Sequence, residues 1–296
     1  MNAKRGLAAI AGSLLLLAGP VTAHAAASSS ASVGPFTIQL VDLNPLDGIL
    51  PSIIWSSLSS GFGSQVTADA SDTAASNFQS ASTYGLNSFS GVAVTANTAL
   101  SGAAASVVAG PNTLSPAGAT LSASGHAYGT LVAGQTSTYS AESVAPSHFA
   151  YQDYFTLSAN TALIVTANAT VNATTSVGFQ TGYGGEDAFA GAWLTVWGLT
   201  SQTGGAGSQN TYAELNAAAG YAVAPGPTYL GESQSLSGPL SGSFLNLTGT
   251  SMNGFLKAGT YALGSSMVAA VPEPETYAMY LAGLALMGAT VWRKKR

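Results

Sequence analysis

Residues 163–174 read Leu163-Ile164-Val165-Thr166-Ala167-Asn168-Ala169-Thr170-Val171-Asn172-Ala173-Thr174. In an extended chain successive side chains point to opposite faces. Leu163, Val165, Ala167, Ala169, Val171 and Ala173 therefore share one face, and Ile164, Thr166, Asn168, Thr170, Asn172 and Thr174 share the other. An apolar face backed by a polar one over this length predicts a half-buried antiparallel strand. Shorter alternating stretches recur at 36–41, 92–96, 119–123, 128–132, 155–157, 193–197, 243–247 and 260–268. Between them lie clusters of Gly, Pro, Asn and Ser, which favour turns. No stretch sustains a helical stripe, and residues 213–222 read as a short helix or as a strand. The pattern predicts an all-β domain over residues 35–270, an antiparallel β-sandwich or jelly roll. Residues 94–100 and 157–163 share a faint similarity, from two equivalent strand–turn units or from composition alone.

Both ends differ from this body. Lys4 and Arg5 precede an apolar run at 6–19, Gly19-Pro20 interrupts it, and Ala23 and Ala25 supply the small residues a signal peptidase requires. Residues 1–25 thus read as a secretory signal peptide handled by the Sec machinery. Residues 26–34, rich in Ala and Ser, read as a flexible leader. At the other end stand Val271-Pro272-Glu273-Pro274-Glu275-Thr276, an uncharged apolar run at 277–292 and the basic stop Arg293-Lys294-Lys295-Arg296. As a helix that run would rise about 24 Å, a little short of the roughly 30 Å hydrocarbon core. Snorkelling lysine and arginine stems cover the difference, and the four cations stay cytoplasmic. Pro272 and Pro274 lock φ and remove two backbone donors, which keeps the preceding segment extended and open to a processing enzyme.

The Pro-Glu-Pro element, the apolar helix and the basic end, in that order, resemble the PEP-CTERM sorting signal of Gram-negative bacteria. The resemblance implies recognition by an exosortase, a membrane cysteine transpeptidase. It further implies transient anchoring in the inner membrane, then a place at the cell surface or outside the cell in contact with exopolysaccharide. Two internal segments, residues 40–53 and 254–263, are similar to stretches of exported proteins of this kind. The resemblance supplies a structural role and no catalytic residues.

Between the two ends Lys257 is the sole cation, facing ten carboxylates, so the exported part carries a net charge of about −9. Such a surface cannot neutralise phosphates, which excludes nucleic acid as a partner. Nor can it attract anionic lipid headgroups. The absence of cysteine excludes thiol chemistry, thiolate metal ligands and disulfides.

Few residues suggest chemistry. His126 and His148 are the histidines left after export, no G-x-S-x-G elbow accompanies them, and no spaced partner makes a zinc set. An enzyme is therefore not expected, a secreted hydrolase being the remote alternative, and no cofactor is expected. Asp42, Asn44 and Asp47 bring hard oxygens close together as weak calcium candidates, although Asp47-Gly48 and Asn44-Pro45 are also ordinary turn pairs. Glu186-Asp187 offers a second such pair, with a solvated loop as the favoured reading. Trp193, Thr195 and Trp197 fall on one strand face. Burial in the core is the favoured reading of the two tryptophans. An outward platform that stacks on sugar rings, as in a carbohydrate-binding module, is the alternative. Asn168, Asn172 and Asn246 open glycosylation sequons that Asn- and Thr-rich composition produces readily.

Overall fold

The computed structural model describes residues 26–56, 62–84, 89–129, 136–147, 154–176, 185–199, 208–220 and 231–267, together with Ala282. Residues 1–25, read from the sequence as a signal peptide, and residues 271–296, Ala282 apart, lie outside the described residues. Among the described residues no helix is long and apolar enough to cross a membrane. Residues Ala25–Ala269 form a compact unit of their own.

That unit is built from β1 (Ala26–Val33), β2 (Thr37–Asp42), β3 (Ile53–Trp55), β4 (Phe62–Ser71), β5 (Ser76–Tyr84), β6 (Val92–Asn97), β7 (Ser101–Val108) and β8 (Thr120–Tyr128). It continues with β9 (Ser137–Ala145), β10 (Phe155–Leu157), β11 (Thr161–Thr175), β12 (Glu186–Leu199), β13 (Ser208–Ala219), β14 (Ser233–Asn246) and β15 (Met252–Ser266). The first sheet runs β14-β11-β1-β8-β7-β6, with β2 also beside β11. The second runs β13-β12-β15-β9-β4-β5, with β10 beside β15 and β3 beside β10. Every strand pairing described is antiparallel. The sheets pack face to face, with β1 over β12 and β15, β8 over β15 and β9, and β11 over β12 and β13.

The strand predicted at 163–174 is the body of β11, and all six of its apolar positions are buried. Residues 213–222 resolve as strand as far as Ala219, within β13. The similar segments at 94–100 and 157–163 are not equivalent. The first crosses the β6–β7 hairpin within one sheet, while the second links β10 of the second sheet to β11 of the first.

The flexible leader is corrected. Residues 26–33 form β1, paired on one side with β11 and on the other with β8. Ala27, Ala31 and Val33 face the core, and between them Ser29 is also buried. Ser29 breaks the apolar pattern in the sequence, but its hydroxyl donates to the Leu263 carbonyl and accepts from Tyr139 Oη at 2.8 Å. A buried hydroxyl with partners costs little, so a serine can stand where the pattern demands an apolar residue.

The interlayer space is filled chiefly by alanine and valine, from Ala31, Ala123 and Ala127 to Ala188, Ala190 and Ala192. Large rings collect toward one end. Phe36 meets Phe89 at 6.1 Å, Phe89 meets Tyr154 at 6.4 Å, Trp55 meets Tyr154 at 5.2 Å and Phe155 at 5.6 Å, and Phe155 meets Phe244 at 5.9 Å. Edge and tilted contacts of this kind add to the burial of the rings.

Tyr139 is the polar exception in the alanine-lined part. Burial pushes its hydroxyl well above the usual tyrosine value, and the bond to Ser29 offsets only part of this. With the folded value raised, the stabilisation is complete below the unfolded tyrosine pKa of about 10 and is lost as pH rises beyond it. The urea midpoint is therefore expected to fall between pH 9 and pH 11, and Tyr139→Phe to make that fall shallower. An equal fall in the two proteins would show that Tyr139 does not carry the effect.

Candidate functional site

The outer face of the second sheet carries a group of aromatic side chains set on glycines. On β12, Leu194 and Val196 point into the core, so Trp193, Thr195 and Trp197 point away from it. This corrects the expectation of core burial for Trp193. The core accepts Leu194 and Val196 and leaves Trp193 half-buried on the outside, while Trp197, also half-buried, still packs against the core. Register places Trp193 between Glu214 of β13 and Gly259 of β15, and Gly191 between Asn216 and Tyr261. One step the other way, Thr195 lies between Tyr212 and Lys257.

The two glycines explain how the rings lie. A Cβ on Gly259 would sit 2.6 Å from Cζ2 of Trp193, and a Cβ on Gly191 would sit 2.3 Å from Cζ of Tyr261. Each ring thus rests on bare backbone of the neighbouring strand: Trp193 leans from β12 over β15, and Tyr261 leans from β15 over β12. Aromatic cover of a strand glycine is a recognised cross-strand device. A ring seated this way turns its second face away from the sheet.

Polar groups frame the rings. Tyr212, 58% exposed, donates from Oη to Glu214 Oε2 at 2.7 Å. Tyr261 donates from Oη to Asn216 Oδ1 at 3.0 Å. Partial burial and then the Glu214 carboxylate hold the Tyr261 hydroxyl above its ordinary pKa, which keeps it a donor. Lys257 Nζ stands 5.9 Å from the centroid of the Trp193 ring, within cation–π range. Burial draws the Lys257 ammonium below the usual lysine value, and the Glu142 carboxylate opposes that shift. Glu142 lies across from Tyr261 on β9.

Trp197 contributes less to this surface than Trp193. Its cross-strand partner Phe255 is buried, and its indole packs against the edge of the core. Tyr212 and Tyr261 are the residues that sequence reasoning missed. Each falls on the Trp193 face only through the β12–β13 and β12–β15 registers, and no local pattern encodes those.

The other candidates do not join this group. Asp42 Oδ1 accepts from the Asn44 amide at 2.9 Å, and Asp47 Oδ1 accepts from the Ile49 amide at 2.7 Å, so both carboxylates close turns. Asp47 Oδ2 also accepts from Asn160 Nδ2 at 2.6 Å, and the same loop turns Leu46 and Leu50 out into solvent. Glu186 and Asp187 are part of β12 rather than a solvated loop. Glu186 is buried and accepts from Ser176 N at 2.6 Å, Ser176 Oγ at 3.0 Å and Ser266 Oγ at 3.2 Å, whereas Asp187 accepts from Ser265 Oγ. Among the described residues no three His, Cys, Asp or Glu side chains gather as a metal set. His126 sits on β8 with its ring 4.9 Å from that of Tyr128, on the outer face of the first sheet. His148 lies outside the described residues.

The model of the PEP-CTERM protein-sorting motif matches residues 270–296. The chain carries a PEP-CTERM sorting signal. The match contains Val271, Pro272, Glu273, Pro274, Glu275 and Thr276 and runs through Arg293, Lys294, Lys295 and Arg296. The signal marks an exported protein sorted by an exosortase to the cell surface or beyond. These residues, like Ala23 and Ala25 of the segment read as a signal peptide, lie outside the described structure. No curated protein and no solved structure matches the chain.

Proposed function

We propose that the mature protein is a non-enzymatic β-sandwich component of the cell surface or extracellular matrix, in contact with exopolysaccharide. On this reading it is anchored in the inner membrane by residues 277–292 only until an exosortase acts near Pro272–Pro274. The observation that carries the proposal is the sorting signal at residues 270–296. The body it delivers supports the same reading, since its surface relies on hydroxyls and amides with one lysine among ten acids. Association with an anionic surface through charge would require the opposite balance.

The experiment is fractionation of the matrix of producing cells. The protein is expected to remain with the polysaccharide through a wash in 1 M salt and to be freed when the polysaccharide is digested by glycoside hydrolases. Release by salt alone, or recovery wholly as free protein in the medium, would refute the proposal. The second reading, a carbohydrate-binding module on the Trp193 and Trp197 face, is supported by the outward direction of that face.

A further inference from the structure

We infer that the outer face of the second sheet binds an uncharged polysaccharide, with the Trp193 and Tyr261 rings as stacking surfaces and Tyr212, Glu214 and Asn216 as partners for sugar hydroxyls. The inference rests on the reading that the exported domain meets polysaccharide, and it names the site and the class of glycan.

Three features carry it. The first is ring presentation. A pyranose has a face of C–H groups that gains dispersion and loses water when it lies on an aromatic ring. Gly259 and Gly191 seat Trp193 and Tyr261 against the backbone of neighbouring strands, so both rings belong to one outer face, with the Lys257 ammonium beside that of Trp193. They lie on the outward strand face, where Tyr212 and Leu263 are also exposed.

The second feature is the chemistry beside the rings. Sugar hydroxyls donate and accept, and they are held best by carboxylate, amide and phenol groups already fixed in place. Tyr212 with Glu214 forms one such pair along β13, and Tyr261 of β15 with Asn216 of β13 forms a second across β12. Each pair keeps acceptor capacity after its internal bond, because a carboxylate has about four lone-pair sites and an amide oxygen two.

The third feature is charge, which decides the class. Glu214 stands across from Trp193 and Glu142 across from Tyr261, while Lys257 is the one cation of the exported part. Lys257 is already engaged by the Trp193 ring and the Glu142 field. A polymer bearing carboxylates would meet two fixed carboxylates beside the rings and a domain of net charge near −9. An uncharged polymer meets no such repulsion.

The test uses the protein recovered after export from producing cells, run by affinity electrophoresis in native gels. The gels contain dextran, galactomannan or hydroxyethylcellulose as neutral polymers, or alginate as a polyuronate. Retardation is expected in at least one neutral gel and not in alginate. Trp193→Ala and, separately, Tyr212→Ala are expected to weaken it at least tenfold. The exposed edge position of Tyr212 keeps the second variant informative if the first proves unstable. Glu142→Gln, at a carboxylate outside the two hydroxyl-binding pairs, is expected to keep neutral binding and to gain retardation in alginate.

Stronger retardation by alginate than by every neutral polymer would overturn the class while leaving a glycan partner. Neutral binding unchanged in both aromatic variants would overturn the site. Absence of retardation in all gels would overturn the site and its glycan reading together, whatever the matrix fractionation shows. A Trp193-dependent dimer in sedimentation equilibrium would assign this face to a second copy of the chain instead.

Discussion

Replacing Asn246 by alanine is expected to destabilise the exported domain by about 3 kcal/mol, the scale of losing several buried hydrogen bonds at once. Asn246 is the last residue of β14 and is fully buried. Its amide nitrogen donates to the carbonyls of Ser158 at 2.9 Å and Thr250 at 2.8 Å, with a longer approach of 3.3 Å to that of Leu157. Its oxygen accepts from Thr248 N at 3.0 Å and Thr248 Oγ1 at 2.7 Å. One side chain thus organises the β14–β15 turn and ties it to the β10–β11 turn. Asn160 extends the tie, its amide nitrogen reaching Asp47 and its backbone N–H reaching the Thr248 carbonyl at 3.1 Å. Alanine would leave buried carbonyls and donors without partners, and water could replace them only by opening the turn. For a domain of this size the loss corresponds to roughly 9 °C in Tm.

Asn172→Ala is the control for that result. Asn172 heads a sequon like that of Asn246, but it faces outward on β11, where it bonds Ser30 and Ser235. Its replacement is expected to stay within about 0.5 kcal/mol, as for surface sites generally. Urea unfolding of the two variants reads both values, and equal losses would refute the assignment of Asn246 as the tie between the turns.

Deleting Pro272–Pro274 is expected to abolish sorting while leaving the domain's stability unchanged. The sorting signal occupies residues 270–296, and the last strand ends at Ser266, before it. The deletion removes the rigid, donor-poor segment offered to the exosortase and keeps both the apolar run and the basic stop. Precursor of full length should accumulate in the membrane fraction, the released pool should disappear, and the melting temperature of the extracted protein should match that of the unaltered one. Release at the normal level would remove the Pro-Glu-Pro element from the sorting step.

The sequence was most legible where one physical requirement acts locally. The strand at 163–174 shows itself because one face meets a core and the other meets water, so the period of two survives over its whole length. The sorting tail is legible because proline geometry, bilayer thickness and terminal charge are each written in consecutive residues. The β1 strand was hidden. Its inward Ser29 is satisfied by Tyr139 and Leu263, residues more than a hundred positions away. The direction of Trp193 was hidden for a related reason: an alternating Trp-Leu-Thr-Val-Trp run is apolar on both faces, and it does not say which face the opposite sheet will cover.

Composition, apolar alternation and terminal motifs by themselves determined an acidic, cysteine-free, all-β exported protein and the address it carries. Tertiary structure alone decided that Leu194 and Val196 of β12 face the core, which turns the Trp193 indole outward. It also set the register that brings Tyr212, Glu214 and Asn216 of the next strand, β13, and Lys257 and Tyr261 of the more distant β15 beside Trp193. The address is local in the sequence, while the surface that acts at that address depends on strand pairing, which is not.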